Sequence, residues 1–371
     1  MFPPDRRTEL PFPLNGQGTS FYTARNAIYH LLRALRFHEG DTILVPDYHH
    51  GVEVQAIRAA GASIRYYTVN RRLEPDLDEV ARLCRSHPRV LYVIHFLGWP
   101  QPIEEMAALC RERGIVLIED CALALLSKAG ERPLGTFGDY AVFCLYKSLP
   151  VPDGGLLVQN EKVHADLGRL PQTTCGLTSV GGRSLELVVE WVRSRSNVLG
   201  RALGLSKKAL AQLLDTLGVA RSPAGTAEFD LAQVNLGMSA LGRVLLKRFD
   251  YEPIRQRRRN NFLRMQNRLA GRLTPLREDL PEGTCPLFFP ILVPDKRSTV
   301  RVLRQRGIGA LDWWSHPASA TRTEASSDSQ FLRDHLLGLP IHQDVTPAQS
   351  EYIADEVLRL ELRVRPAHAL R

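Results

Sequence analysis

The residue best suited to chemistry in this 371-residue sequence is a lysine placed at the end of an apolar run. Lys147 follows the β-rich stretch Tyr140–Tyr146, and a Pro-rich turn then leads to Gly154-Gly155 and a second apolar run. Burial or cationic neighbours can make a lysine amine nucleophilic, and such an amine can form a Schiff base with a carbonyl compound. The alternative is an ordinary surface lysine at the tip of a strand, and this stretch by itself favours that alternative.

Asp120 ends the apolar stretch VLIED, twenty-seven residues before the lysine. A carboxylate at the end of a buried strand can pair with a ring nitrogen inside a crevice. If the ligand is pyridoxal phosphate, that pairing keeps the pyridine ring protonated and makes it an electron sink. The alternative role is the N-cap of the next helix. Glu119 beside it is expected to be a solvent-facing acid.

Two further groups are candidates for binding an anion and a ring. Thr23-Ala24-Arg25-Asn26 opens the first long helix, where free N–H groups, the helix dipole and a hydroxyl suit a phosphate. Any capped helix start offers the same features. His49 and His50 follow the first predicted strand, and a flat side chain there can stack on a cofactor ring. The alternative is loop polarity, or one buried and hydrogen-bonded histidine.

The elements that must position these residues alternate regularly between strand and helix. The predicted helices are Thr23–Phe37, Val52–Ala60, Asp76–Cys84 and Ile103–Arg113, and the predicted strands are Thr42–Val45, Ser63–Val69, Val90–Phe96 and Ile115–Ile118. This alternation predicts an α/β fold, with a mostly parallel central sheet between helices. Ligands bind beyond the carboxyl ends of such strands, which indicates Asp47–Gly51, His95–Gly98 and Glu119–Cys121.

The regular alternation stops in a basic segment at residues 168–225. We predict one helix opening at Gly181-Gly182 and a second after Ser206; Arg183 to Arg221 holds seven basic residues against three acids. Such a segment can lie on a membrane surface or cover an anionic substrate. A helical hairpin packed on the body or on a partner subunit is the favoured interpretation.

The remaining elements predict a smaller C-terminal α+β domain. They are helices Leu241–Phe249 and Arg255–Leu273, strand Leu287–Leu292, and helices Thr299–Arg306 and Pro347–Leu362. Within them, Arg257-Arg258-Arg259 is expected to be a solvated helix face. The predicted organisation is therefore an N-terminal arm (1–20), a large domain (21–250) and a small domain (251–371).

Composition narrows the classes of protein to consider. The net charge is +8 and the isoelectric point about 9.3, which suits an anionic ligand, but no nucleic-acid-binding motif is present. Six widely spaced cysteines without a Cys-x-x-Cys pair argue for reduced thiols in the cytoplasm, and against zinc or disulfides. The sequence begins without the apolar run of a signal peptide, and no stretch approaches the ~18 apolar residues of a membrane span. We therefore expect a soluble cytoplasmic protein.

The order and spacing of these fragments resemble the DegT/DnrJ/StrS family of pyridoxal-phosphate-dependent aminotransferases. The matching fragments are Thr23–Ile28, Gly40-Asp41, Val45-Pro46, His95-Phe96-Leu97-Gly98, Ile118-Glu119-Asp120, Gly135-Thr136-Phe137-Gly138-Asp139, Lys147-Ser148-Leu149, Gly154-Gly155 and Leu339-Pro340-Ile341-His342. The resemblance is strong over about residues 20–160 and loose in the C-terminal third. It implies a fold-type-I enzyme that works as a homodimer.

The resemblance implies a role for each candidate residue. Lys147 would be the Schiff-base lysine and the base that moves the substrate proton, and Asp120 would pair with the pyridine nitrogen. Ala24 and Arg25 would occupy the phosphate turn that Thr23 opens, and His50 would take the place of the aromatic residue stacked on the ring.

This sequence departs from the family pattern at three places. Leu123 stands where the family has Gln or His near the phenolic oxygen of the cofactor. The serine phosphate ligand has its nearest match in Cys144 if a short deletion is allowed, and in Val142 otherwise. The segment that reaches the partner subunit's cofactor is echoed only by Asn235–Met238, of which we retain Asn235 as a candidate ligand.

The resemblance implies transfer of an amino group from an amino acid, expected to be glutamate, to a keto or aldehyde acceptor such as a nucleotide-linked keto-sugar. Another pyridoxal-phosphate reaction (elimination, racemisation or cyclisation) and an idle scaffold are the alternatives. Retention of Lys147 argues against the dehydratase branch, which has histidine there. Trp313-Trp314 lies where the small domain would return to the site, and could pack a substrate ring or serve core and interface.

Overall fold

A seven-stranded sheet carries most of the candidate residues. The structure is a computed structural model, and it describes residues 18–193, 228–273, 275–315 and 326–360. The strands of this sheet are β1 (Gly18–Phe21), β2 (Thr42–Pro46), β3 (Ser63–Tyr67), β4 (Val90–Ile94), β5 (Val116–Asp120), β8 (Tyr140–Cys144) and β9 (Gly155–Gln159), in the order β1-β9-β8-β5-β4-β2-β3. A separate short hairpin is formed by β6 (Lys128–Ala129) and β7 (Arg132–Pro133).

Five neighbouring strands of the sheet run parallel, and two at one edge run antiparallel. The pairs β2·β3, β2·β4, β4·β5 and β5·β8 are parallel, whereas β9 is antiparallel to both β8 and β1. Strands β4 and β8 are buried along their whole length, as expected where helices cover both faces. The predicted α/β class with a mostly parallel sheet is confirmed.

Helices connect the parallel strands much as the hydrophobic periodicity predicts. They are α1 (Ala24–Leu35), α2 (Val52–Ala59), α3 (Leu77–Cys84), α4 (Ile103–Arg113), α5 (Ala165–Gly168) and α6 (Leu177–Arg193). Helix α4 has the predicted bounds. Helix α1 ends two residues early because Arg36 adopts a left-handed conformation, which cannot continue a helix.

The C-terminal part forms a second, three-stranded sheet with its own helices. Its strands are β10 (Phe289–Leu292), β11 (Leu311–Asp312) and β12 (Leu336–Leu339), in the antiparallel order β10-β12-β11. The helices of this part and of the segment before it are Ala240–Leu246, Tyr251–Leu269, Lys296–Gln305, Ser327–His335 and Pro347–Leu358. The arrangement agrees with the α+β character that the sequence indicates.

One expectation for this part is wrong, since Arg258 is not on a solvated helix face. Its side chain is buried, whereas Arg257 beside it is exposed. The Arg258 guanidinium donates to the carbonyl oxygens of Leu287 and Ser148, each at 3.0 Å, and to Gln343 Oε1. A run of three arginines on a helix points in three directions about 100° apart, so one of them can face the core.

Only the first helix of the basic segment lies among the described residues. Helix α6 begins at Leu177 rather than at Gly181-Gly182, which both lie inside it. The helix predicted after Ser206 falls outside the described residues. Among the helices that are described, none is both long and apolar enough to cross a membrane.

Candidate active site

The carboxyl ends of the parallel strands bring Asp120, the loop after β2 and the Lys147 loop to one edge of the sheet. Asp120 ends β5, and its register partners are Ile94 at the end of β4 and Val142 in β8. Three residues after β8 ends, Lys147 closes a short 3-10 turn. The topology therefore gathers at one crevice residues that are far apart in the sequence.

The start of α1 reaches this crevice because Gly155 allows it to lie against β9. A β-carbon on Gly155 would fall 2.3–2.4 Å from backbone atoms of Thr23 and Ala24. The N–H of the neighbouring Gly154 donates to the Tyr22 carbonyl at 2.9 Å, and its own carbonyl accepts from Leu145 N–H. The Gly-Gly pair therefore fixes the helix start beside the Lys147 turn.

The first turn of α1 presents a positive charge as well as helix N–H groups. Arg25 is buried and donates to the backbone carbonyl of Glu228. Thr23 is the N-cap residue of α1, but its side chain makes no capping hydrogen bond. Its hydroxyl donates to Asn26 Oδ1 at 2.8 Å instead of accepting a backbone N–H. The Thr23 side chain therefore does not occupy the N–H groups at this helix terminus, and an anion site requires N–H groups that are available.

Asp120 is a buried carboxylate held by two hydrogen bonds. Tyr92 Oη donates to its Oδ2 at 2.6 Å, and Ala122 N–H donates to its Oδ1 at 2.8 Å. Burial raises the pKa of Asp120, while the Tyr92 hydrogen bond and the Lys147 charge oppose that rise. Asp120 caps a turn rather than a helix, since residues 121–126 form turns.

Lys147 is exposed at the mouth of the crevice, and its charge acts on three groups inside it. Its positive charge favours a lower pKa for Asp120, for His50 and for the buried Glu53 carboxyl. Burial has a larger effect on the pKa of each group, and it raises the pKa of the two acids and lowers that of His50. Because such effects weaken with distance, the amine lies on the same side of the sheet as all three. Lys147 and Asp120, the two candidate catalytic residues, therefore lie at the same crevice.

His50 lies between the cations and a tryptophan of the C-terminal part. Its ring meets Trp314 edge to face, with centroids 6.0 Å apart, and its Nδ1 has no hydrogen-bond partner among the described residues. Burial lowers the pKa of His50 to about 4, and Lys147, Arg25 and Arg333 act in the same direction. His50 is therefore a neutral, flat ring at neutral pH. His49 faces away and stacks on Tyr66.

Cys144 and Val142, the two alternatives for the serine phosphate ligand, differ in their surroundings. Both are buried on β8, and residues two apart on a strand share a face. Burial raises the pKa of the Cys144 thiol, and the charges of Lys147 and Arg25 oppose that rise. Cys144 therefore lies near both cations at the crevice, whereas Val142 pairs with Asp120 in the sheet.

Asn235 lies beside α1, on which His30 is found. It is exposed, its carbonyl accepts from Thr173 N–H at 2.9 Å, and its side chain hydrogen-bonds His30. Its predicted role at a partner subunit's cofactor stays a prediction.

The expectation that Glu119 faces solvent is wrong. Glu119 is fully buried, and its carboxylate accepts N–H bonds of 2.7–2.8 Å from Gly135, Phe137 and Gly138. His95 Nε2 lies 3.1 Å from the same carboxylate. Neighbouring strand residues point to opposite faces, and both faces of this sheet are covered. Glu119 therefore shapes the 135–138 loop, while Asp120 faces the crevice.

Sequence reasoning missed three residues around the crevice, namely Glu53, Tyr92 and Arg333. Glu53 folds back to accept N–H bonds from His50 and Gly51 at the start of α2. Arg333 is buried and donates to the carbonyls of His49 and Trp314, which links the β2 loop to the C-terminal part. A tyrosine inside an apolar run and an acid in a first helical turn are common, so neither gave a signal.

The donor set fits pyridoxal phosphate. The N–H groups of the α1 terminus and the Arg25 charge suit a phosphate, and the close Gly155 contact makes the cradle. Asp120 has an ionisable oxygen for a protonated ring nitrogen, and His50 has a ring face and an unpaired nitrogen. Lys147 supplies the amine. The groups thus complement each part of that cofactor.

The comparison with known families agrees with this arrangement. Residues 16–183 match the model of the DegT/DnrJ/EryC1/StrS aminotransferase family. The resemblance to this family that the sequence predicts is confirmed over these residues. The match covers β1 through the first turns of α6, and therefore includes Thr23, Asp120 and Lys147.

Similarity to individual curated proteins covers little more than a third of this chain. GDP-perosamine synthase of Escherichia coli O157:H7 is 30% identical over 143 residues, which are 38% of this chain and 39% of that protein. The dTDP-4-dehydro-2,3,6-trideoxy-D-glucose 4-aminotransferase of Saccharopolyspora spinosa is 34% identical over 133 residues, 35% of this chain and 34% of that enzyme. The chain thus spans little more than a third of the length of these relatives.

The fold is shared over a much longer stretch than the sequence similarity. The crystal structure of the aminotransferase TlmJ from Streptoalloteichus hindustanus superposes with a TM-score of 0.62, at 23% identity. The superposition covers 92% of this chain and 85% of that one. The likeness in fold therefore extends into the C-terminal part, which lies beyond the residues matched by the family model.

Proposed function

We propose that this protein is a pyridoxal-phosphate-dependent aminotransferase. The observation that carries the proposal is the convergence of Lys147, Asp120 and the α1 terminus at one sheet edge, enforced by the Gly155 contact. When bound, the cofactor supplies an aldehyde for amine exchange and a ring that acts as an electron sink. The chain's own residues supply binding, orientation and proton movement.

Each residue has a defined task in this proposal. The α1 terminus with Arg25 binds the phosphate, with Cys144 nearby, and Asp120 holds the ring nitrogen. Lys147 Nζ binds the aldehyde in the resting state and, when released, takes and returns the proton at the substrate's α-carbon. His50 and Trp314 cover one side of the crevice and limit the entry of water.

We further propose that glutamate is the amino donor and a nucleotide-linked keto-sugar the acceptor. The names of the two relatives contain a GDP-linked and a dTDP-linked sugar. A net charge of +8 suits a diphosphate-bearing substrate. The exposed Asn235 supports a homodimer, in which that residue would approach the partner's cofactor.

The test begins with cofactor attachment. Purified protein is incubated with pyridoxal phosphate and reduced with borohydride, and the modified peptide is identified by mass spectrometry. The adduct is expected on Lys147 and absent in Lys147→Ala, while the exposed Lys162→Ala variant keeps it. An adduct elsewhere, or none in the wild type, would sink the proposal.

Transamination is then separated from its alternatives by adding glutamate to the loaded protein. Formation of pyridoxamine phosphate and 2-oxoglutarate in equal amounts is expected. If neither forms with glutamate or with a panel of other amino acids, an elimination, racemisation or cyclisation activity, or an idle scaffold, is the better account. Nucleotide-linked keto-sugars are tested as acceptors by mass spectrometry.

A further inference from the structure

Tyr92 makes a side-chain hydrogen bond to Asp120 across two neighbouring strands. Tyr92 lies in β4 and is fully buried, and its hydroxyl is 2.6 Å from Asp120 Oδ2. The register places Ile94, not Tyr92, directly opposite Asp120. The long tyrosine ring therefore bridges a diagonal pair, a reach that aromatic side chains have and aliphatic ones do not.

The bond leaves the Asp120 carboxylate available for a third donor. A carboxylate offers about four lone-pair sites. Among the described residues, the Tyr92 hydroxyl uses a lone-pair site on Oδ2, and the Ala122 N–H uses a lone-pair site on Oδ1. One donor on each oxygen restricts rotation of the carboxylate, and each oxygen keeps a lone-pair site for a further donor. Such an arrangement orients the group without blocking it.

The groups around Asp120 show why this donor matters. Burial disfavours the ionised carboxylate, and the nearby Glu53 on α2 adds repulsion. Lys147 opposes both effects, and the buried Cys121 and Cys144 thiols also face the carboxylate. Burial also raises the pKa of the Tyr92 hydroxyl well above its ordinary value, so it remains a proton donor at every relevant pH.

We propose that Tyr92 is a positioning residue that holds the Asp120 carboxylate oriented toward the pyridine nitrogen of the cofactor. This role rests on the proposed function. Tyr92 does not touch the reacting atoms in this arrangement, since it acts through Asp120. Its contribution is a donor that stabilises the charged form of a buried acid, where hydrogen bonds to ions are strongest.

The experiment compares Tyr92→Phe with Tyr67→Phe. Tyr67 is equally buried, and its hydroxyl donates to the Tyr92 backbone carbonyl at 3.1 Å, so the control removes a nearby hydroxyl without touching Asp120. Pyridoxal phosphate is titrated into each apo-protein. We expect Tyr92→Phe to weaken binding about 10-fold, as for loss of a hydrogen bond to a charged group, and Tyr67→Phe to bind as the wild type does.

A second readout uses the apo-proteins and needs no activity. Unfolding in urea is measured between pH 5 and 8. Because Tyr92 favours the ionised carboxylate, the stability lost in Tyr92→Phe should grow as the pH rises through the pKa of Asp120. The loss in Tyr67→Phe should be the same at each pH.

The outcomes separate the two proposals. A wild type that does not bind pyridoxal phosphate overturns the proposed function and the role of Tyr92 with it. A wild type that binds, with Tyr92→Phe indistinguishable from Tyr67→Phe in both readouts, overturns only the role of Tyr92. A pH-dependent loss in Tyr92→Phe together with weaker cofactor binding supports the inference.

Discussion

Gly155 and Thr23 are in backbone contact, and this contact sets the position of the α1 terminus against the sheet. A β-carbon on Gly155 would lie 2.3 Å from both the Thr23 carbonyl carbon and its oxygen, and 2.4 Å from Ala24 N. Real β-carbons do not approach backbone atoms that closely. The residue pair therefore couples the phosphate-type helix start to the strand that follows Lys147.

Gly155→Ala should displace the start of α1 and weaken binding of a phosphorylated cofactor. We expect a loss of about 1–3 kcal/mol in the free energy of unfolding, typical of an overpacked site. Binding of pyridoxal phosphate should weaken more than binding of pyridoxal, which lacks the phosphate. Titration of the apo-protein with both compounds measures the difference.

Gly168→Ala is the matched control, because no atom lies within 4 Å of the added carbon at that position. It should leave both affinities unchanged. Equal weakening for pyridoxal and pyridoxal phosphate in Gly155→Ala would show that the α1 terminus is not the phosphate site.

His50 should make the folded protein sensitive to mild acid. Its pKa is lowered to about 4, first by burial and then by Lys147, Arg25 and Arg333, whereas the ordinary value is 6.5. The unfolded chain therefore gains a proton between these values while the folded chain does not. Stability should fall as the pH drops from 6.5 to 4, by about 1.4 kcal/mol for each pH unit at most.

His50→Gln should flatten this part of the dependence of unfolding free energy on pH. His38→Gln, which changes an exposed histidine, should leave the curve unchanged. Urea unfolding at half-unit steps of pH provides the comparison. An unaltered slope in His50→Gln would contradict a neutral His50 in the folded state.

Arg258→Met should loosen the Lys147 turn as well as the C-terminal part. The buried guanidinium donates to the Ser148 carbonyl next to Lys147, and its loss leaves buried carbonyls without a donor. We expect a loss of about 2–4 kcal/mol in the free energy of unfolding. The exposed Arg257→Met should change it by less than about 0.5 kcal/mol. Similar values for both variants would refute the structural role of Arg258.

Glu119→Gln should destabilise the 135–138 loop. Both carboxylate oxygens accept hydrogen bonds from backbone N–H groups. In glutamine one of these oxygens is replaced by an NH₂ group, which cannot accept from an N–H donor, so we expect a loss of about 2–3 kcal/mol in the free energy of unfolding. Burial favours a higher pKa for Glu119, but the hydrogen bonds from His95 and from the loop N–H groups outweigh burial and lower the pKa below its ordinary value of 4.5. The ionised Glu119 carboxylate therefore contributes its full stabilisation of the folded state above that pH, and this stabilisation is lost as the pH falls through the lowered pKa.

Thermal unfolding with hydrogen exchange of the loop amides measures this effect. Glu112→Gln, at an exposed acid on α4, is the control and should behave as the wild type. Normal protection of the Gly135 and Phe137 amides in Glu119→Gln would argue against the buried acceptor role.

Helices and parallel strands of the large sheet were predictable because their signals are local. Runs such as VLYVI in β4, and the apolar spacing of α4, report burial through neighbouring residues alone. The direction of the edge strands was harder to predict from the sequence. The antiparallel direction of β9 depends on the Gly154-Gly155 re-entry and on pairing with β1. The paired residues are 134 positions apart at Phe21↔Gly155 and 140 positions apart at Gly18↔Val158.

The candidate site was predictable in its residue types but not in its contacts. Lys147, Asp120, Thr23 and Arg25 are recognisable by order and spacing, and the structure places them at one crevice. The environments of Glu119 and Arg258 were predicted wrongly, because both depend on what packs against them from distant segments. Strand alternation showed that Glu119 and Asp120 face opposite ways, but it could not say that both faces are covered.

The sequence by itself determined the resemblance to an aminotransferase family, the fold class and the lysine and aspartate on which the proposed chemistry depends, since these follow from local patterns and their order along the chain. Only the tertiary structure decided what surrounds them. The Tyr92 hydroxyl on Asp120, the Arg258 bond behind Lys147 and the Gly155 contact with Thr23 each join residues that are far apart in the chain. Hydrogen bonds are stronger in the buried, low-dielectric interior of a protein, and burial depends on how the entire chain packs.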